Sequence, residues 1–189
     1  MKKILLLFIS IFCVSYTTLQ EKECFVTTNI TEDDTTYNNL VSEVDKYINK
    51  ISPSSQLDGK VIVDMCIKYN IDIIFVLAQG QIESHYGTTG TARRTNSVFN
   101  VGAYDGSSST TQIKRGYGFS HPNDSVEPYL ILLTNYYLVN NKNTNDLMYN
   151  YVNKHGQRYA SHNGYEKMLR RVYTRINKTT NINHYQNLI

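Results

Sequence analysis

Apolar residues recur at helical spacing over most of the chain, and polar punctuation separates the runs. Leu40, Val41, Val44, Tyr47, Ile48 and Ile51 share one face of a first helix, which Ser52-Pro53-Ser54-Ser55 ends. A second helix is predicted from about Asp58, with Val61, Met65, Cys66 and Tyr69 on its inner face. Asn70-Ile71-Asp72 forms the next break, with Asp72 as the N-cap of a third helix from Ile73 to about His85. That third helix starts apolar all round (Ile73-Ile74-Phe75-Val76-Leu77-Ala78), the pattern of a central helix buried on most sides. Gly87 is the expected closing residue.

The pattern changes between Thr88 and Pro122, where Gly, Ser, Thr and Asn dominate. Val98-Phe99-Asn100-Val101 and Thr110-Thr111-Gln112-Ile113-Lys114 alternate like strands and could pair around Asp105-Gly106. A small β-lobe or a set of long loops is expected there. Helical spacing returns with Ser125 as N-cap for Val126, Tyr129, Leu130, Leu132, Leu133 and Tyr136. Further helices are predicted over 145–152 and 165–176. The fold class is mainly α (α+β), without internal repeats.

Three segments follow. Residues 1–18 read as a signal peptide, because Met1-Lys2-Lys3 is basic and the apolar stretch to Val14 is short and followed by polar sequence. Residues 19–36 are Thr-, Asp- and Glu-rich and read as a flexible lead-in, and residues 37–189 form one domain. The expectation is an exported protein, periplasmic or extracellular, with no transmembrane span in the mature chain.

Composition narrows the partners. Hydrophobic residues at 41% and charged residues at 19% describe a globular chain. A net charge of +3 suits an anionic polymer such as a bacterial wall and is too small to argue for nucleic acid. The 16 Tyr against 6 Phe and no Trp fit half-buried aromatic positions, some of them suited to sugar contacts. No Cys/His set has zinc spacing, so neither a metal nor another cofactor is expected. Cys24 and Cys66 would remain after leader removal. They leave two readings, a disulfide or a buried thiol at Cys66, and the second is preferred.

Glu83 carries the chemistry. It falls in the last turn of the buried third helix, where the negative end of the helix dipole and apolar surroundings both disfavour the ionised carboxylate. A carboxyl group that keeps its proton is what a general acid for a glycosidic oxygen needs. Its neighbour His85 points elsewhere on the helix, and Ser84 lacks a nucleophile setting. Arg93-Arg94 offer either a carboxylate clamp or a solvated basic pair.

Leu77-Ala78-Gln79, Ile82-Glu83-Ser84-His85-Tyr86-Gly87-Thr88 and Thr95-Asn96-Ser97-Val98-Phe99-Asn100-Val101-Gly102 resemble the glucosaminidase family of peptidoglycan hydrolases. That family's pattern reads Ala-Gln-x-x-x-Glu-Ser, an aromatic, Gly, Thr or Ser, and later Asn-Asn-Leu-Phe-Gly. Phe119 to Tyr129, with Ser125-Val126, is similar to a downstream segment of the family, and Tyr159-Ala160 with Gly164-Tyr165 is similar to its closing motif. The resemblance spans about Val61 to Ile176.

It implies a lysozyme-like helical domain with a small β-lobe or long loops around the cleft. It further implies hydrolysis of the β-1,4 bond after N-acetylglucosamine in peptidoglycan glycan strands, with Glu83 as general acid. Expected substrate contacts are Gln79, Tyr86, Asn96, Phe99, Asn100 and Tyr104. A second acid is hard to place. Asp105, Asp124 and Glu127 are the nearest, each with an ordinary turn, capping or first-turn role as the rival. Asp105 and Tyr117 are kept as further catalytic candidates. Without a second acid, the substrate's 2-acetamido group or a water held by Tyr117 or Asn100 would complete the reaction. The alternatives are a lytic transglycosylase, or a non-catalytic wall-binding or virion protein on the same fold.

Overall fold

Aspartates start the two helices that lead to the site. The computed structural model describes residues 35–101 and 118–189. Helix α1 is Thr35–Ile51 and buries Tyr37, Leu40, Val44, Tyr47 and Ile48. Helix α2 is Gly59–Tyr69, and the Asp58 side chain accepts from the Lys60 N–H at 2.8 Å to cap it. Helix α3 is Ile73–Ser84, and Asp72 caps it by accepting from the N–H groups of Ile74 and Phe75. The buried face of α2 consists of Ile62, Val63 and Cys66. The helix is thus rotated from the expected face, with Val61, Met65 and Tyr69 half-buried. Its start lies close against α1, since the Gly59 N–H donates to Asp45 Oδ1 at 2.7 Å. Cys66 is a buried free thiol, whereas Cys24 lies outside the described residues.

Helix α4 is the single turn Ala92–Thr95. A 3₁₀ turn, Pro122–Ser125, runs into helix α5, Val126–Leu132, which continues as a π turn over Leu133–Tyr137. Ser125 occupies the expected N-cap position of α5 but makes no capping bond with its side chain, because the 3₁₀ turn capped by His121 leads directly into the helix. Its hydroxyl instead donates to the Pro122 carbonyl and accepts from the Val98 N–H. Helix α6 is Thr144–Leu147, α7 is Tyr165–Thr179 and α8 is Ile182–Gln186. Helix α3 packs most extensively against α7, α1 pairs with α2, α2 meets α5, and α8 closes against α1 and α3.

The helix expected over 145–152 stops at Leu147. The Met148 carbonyl accepts from the Arg170 guanidinium, Tyr151 turns into the core, and Val152 bridges to Arg158. The strand expected at 98–101 is a turn. Asn96 and Asn100 hold φ +54° and +50°, and such left-handed residues break an extended run. Thr110 to Lys114 and the Asp105-Gly106 turn lie outside the described residues. Among the described residues, the Val152–Arg158 bridge is isolated from any strand, and the fold is mainly helical. No described helix is long and apolar enough to cross a membrane.

The end of α3 departs from expectation in an informative way. His85, not Gly87, is the first left-handed residue, and His85, Tyr86 and Gly87 form a run with φ +47°, +57° and +86°. The Tyr86 N–H reaches back to the Gly80 carbonyl at 3.1 Å and the His85 N–H to Gln81 at 3.1 Å, satisfying carbonyls at the helix end. The Tyr86 ring folds back onto the helix, and its hydroxyl donates to the Leu77 carbonyl at 3.0 Å.

Ser84 secures the turn that follows. Its hydroxyl donates to the Val98 carbonyl at 2.6 Å and accepts from the Gly87 N–H at 2.8 Å. Ser84→Ala removes both partners from groups with little access to water. A loss of about 2 kcal/mol in folding stability is expected, read as a lower urea midpoint at unchanged slope.

Candidate active site

Glu83 stands where α3 ends, with its side chain partly exposed. Oε1 accepts from the Tyr165 hydroxyl at 2.5 Å, and Oε2 accepts from Asn100 Nδ2 at 3.2 Å. The same Asn100 nitrogen donates to the Glu83 main-chain carbonyl at 3.0 Å. Burial raises the pKa of Glu83 above the ordinary carboxylate value. The hydrogen bonds from Tyr165 and Asn100 pull the other way without cancelling the effect of burial. The site therefore favours a carboxyl group that retains its proton to higher pH than a solvated glutamate.

The wall behind Glu83 is made of tyrosines. Tyr159 and Tyr151 stack with ring centroids 4.5 Å apart, and Tyr165 lies 5.7 Å from Tyr159. Tyr137, buried by the π turn, meets Tyr151 edge-on at 5.2 Å. Burial pushes the hydroxyls of Tyr159 and Tyr165 well up, and the charge of Glu83 adds to the effect. They stay neutral, so they can donate to oxygen. The Tyr159 hydroxyl donates to the Phe99 carbonyl at 3.0 Å, which fixes the turn that carries Asn100.

Of the expected substrate contacts, Asn100 is drawn to Glu83, while three others are core residues. Gln79 is fully buried, and its Oε1 accepts from the hydroxyls of Tyr129 at 2.6 Å and Tyr151 at 2.8 Å. Tyr86 is buried against α3, and Phe99 is buried in a stack with Tyr129 at 3.9 Å. These three side chains are enclosed by protein in this structure. Asn96 is half-buried and spends its amide on the carbonyls of Phe119 and Ser120. Tyr104, Asp105 and Tyr117 lie outside the described residues.

The other acids have structural partners. Asp124 accepts from the His121 N–H in the capping box of the 3₁₀ turn. Glu127 accepts from Lys68 at 2.6 Å and from the Tyr69 hydroxyl at 2.9 Å. Arg93 and Arg94 are exposed on α4, and His85 is exposed at the helix end. Among the described residues, no group of three or more His, Cys, Asp or Glu side chains could hold a metal ion.

Tyr165 belongs to the closing motif, which carries no assigned role. Its motif position pointed to it, but the partner lies 82 residues away in sequence. Tyr151, which braces Gln79, carried no signal beyond the excess of tyrosine.

The site thus combines a helical frame, one carboxyl whose pKa burial raises and a tyrosine-lined wall. The sequence pattern of the glucosaminidase family, described as mannosyl-glycoprotein endo-beta-N-acetylglucosaminidase, matches residues 59–178, from the start of α2 to the end of α7. The chain belongs to the glucosaminidase family, and that membership suggests a glycoside hydrolase. No curated protein and no solved structure matches the chain.

The placement of Gln79 is directly testable. Gln79→Leu keeps a similar volume but removes the oxygen on which two buried tyrosine hydroxyls converge. We expect a loss of about 2 kcal/mol or more in urea unfolding. An unchanged midpoint would mean that the hydrogen bonds to the Gln79 oxygen do not contribute to stability.

Proposed function

We propose that the protein hydrolyses the β-1,4 bond after N-acetylglucosamine in peptidoglycan, with Glu83 as general acid. The observation that carries the reading is the setting of Glu83, a partly exposed carboxyl at a buried helix end with its pKa raised by burial. The family match supports the sugar chemistry. The family's description names mannosyl-glycoprotein, whereas the motif resemblance points to the bacterial wall polymer, and both substrates contain N-acetylglucosamine. The modest positive charge favours the anionic wall.

In this mechanism Glu83 gives its proton to the leaving glycosidic oxygen as the C1–O bond breaks. The carbonyl oxygen of the substrate's own 2-acetamido group bonds to C1 from the opposite side, forming a cyclic intermediate. Water then adds at C1 as the bond between C1 and the acetamido oxygen breaks, restoring the 2-acetamido group, and ionised Glu83 takes the proton released. Among the described residues the two acids considered for a second role, Asp124 and Glu127, are both engaged elsewhere, which supports this route; Asp105 lies outside the described residues. A protein of this activity works outside the cytoplasm, in line with the leader read at residues 1–18. That leader lies outside the described residues.

Digestion of purified peptidoglycan, with borohydride reduction and mass analysis of the new ends, tests the reading. N-acetylglucosaminitol ends are expected. Anhydro ends would mean a lytic transglycosylase, absence of cleavage a binding protein, and release of oligosaccharide from mannosyl-glycoprotein alone a different substrate. Glu83→Gln should lower the rate by about 10²–10⁴-fold. The acid form is the active one, so activity should fall as pH rises through the pKa of Glu83. Burial places that alkaline limb above the ordinary glutamate range.

A further inference from the structure

Asn100 holds an unusual position. Its backbone is left-handed, with φ +50°, and its amide reaches back across 17 residues to the end of α3. Nδ2 donates to two oxygens of one residue, the Glu83 main-chain carbonyl at 3.0 Å and Glu83 Oε2 at 3.2 Å. The carbonyl can only accept, and that decides which end of the amide faces the helix. A flipped amide would set oxygen against oxygen. Asn100 Oδ1 is buried and has no partner among the described residues, so the amide is not held from that side.

The two carboxyl oxygens of Glu83 therefore differ. Oε2 faces an N–H group that cannot accept a hydrogen bond. Oε1 faces the Tyr165 hydroxyl, which can donate to an ionised carboxylate and turn to accept from a protonated one. We propose that Asn100 is a positioning residue that reserves Oε2 as an acceptor and so confines the transferable proton of Glu83 to Oε1. The inference rests on Glu83 being the general acid. It adds the geometry of delivery: the glycosidic oxygen must approach the Oε1 side, next to Tyr165.

Two substitutions separate this role from packing. Asn100→Gly removes the amide, and glycine adopts the positive φ freely, so the turn is kept. Asn100→Asp keeps the shape but replaces the donor with a carboxylate oxygen facing Oε2. For Asn100→Gly we expect kcat to fall about tenfold with KM within about twofold. Its alkaline limb should move to higher pH, because the lost donor favoured the ionised form. For Asn100→Asp the loss should be greater, about a hundredfold. Carbon-13 titration of the Glu83 carboxyl should show the same upward movement in Asn100→Gly without any turnover.

A Glu83 titration that does not move in Asn100→Gly, or an Asn100→Asp enzyme with wild-type kcat, overturns the proposal. Glu83→Gln, assayed alongside, separates the two readings. If it stays active while the carboxyl titration still moves with Asn100, the general-acid assignment has failed and the contact between Asn100 and Oε2 stands. If it is inactive while neither Asn100 variant moves the limb or the titration, the general acid stands and the positioning role has failed.

Discussion

A helix enclosed by protein must satisfy its last polar groups without water, and the end of α3 is organised around that requirement. Nearly every residue from Ile73 to Ser84 is buried. Terminal carbonyls of the helix are met by the Tyr86 and His85 N–H groups, and that of Glu83 by Asn100. The Ser84 hydroxyl ties in the segment that carries Asn100. The Glu83 carboxyl inherits this setting. It is enclosed because the helix is enclosed, and its partners are the groups that the enclosure brings near.

The preference for tyrosine over phenylalanine has the same origin. A wall around a buried polar helix end needs aromatic bulk and hydroxyl donors together. Tyr129 and Tyr151 converge on one Gln79 oxygen, Tyr159 holds the Phe99 carbonyl, and Tyr165 holds Glu83. Phenylalanine would fill the volume and leave those oxygens unmet, which in a buried site costs more than the hydrogen bond returns. Each hydroxyl stays neutral because burial raises its pKa, so the wall supplies donors without adding charge next to the carboxyl.

Much of this was legible in the chain, and what was not has a physical reason. The caps Asp58 and Asp72, the three leading helices and the enclosed character of α3 follow from local rules of spacing and capping. That Glu83 ends an enclosed helix was legible because the all-round apolar pattern of Ile73 to Ala78 is local. Gln79, Tyr86 and Phe99 were expected at a ligand surface and lie in the core. A motif records that residues serve a site, not whether they face it or support it. The strand expected at Val98 to Val101 failed because left-handed Asn100 interrupts the extended run. Tyr165 escaped a role because local pattern carries no information about a partner 82 residues away.

That separation along the chain also governs when the site comes into being. Glu83 lies in α3, Asn100 in the turn after α4, and Tyr165 at the first residue of α7. A growing chain that has released α3 but not yet α7 holds a glutamate without its hydroxyl partner or the aromatic wall behind it. The raised proton affinity is therefore a property of the finished topology and belongs to no fragment. The environment of Glu83 is thus complete only when the chain has folded to its last long helix.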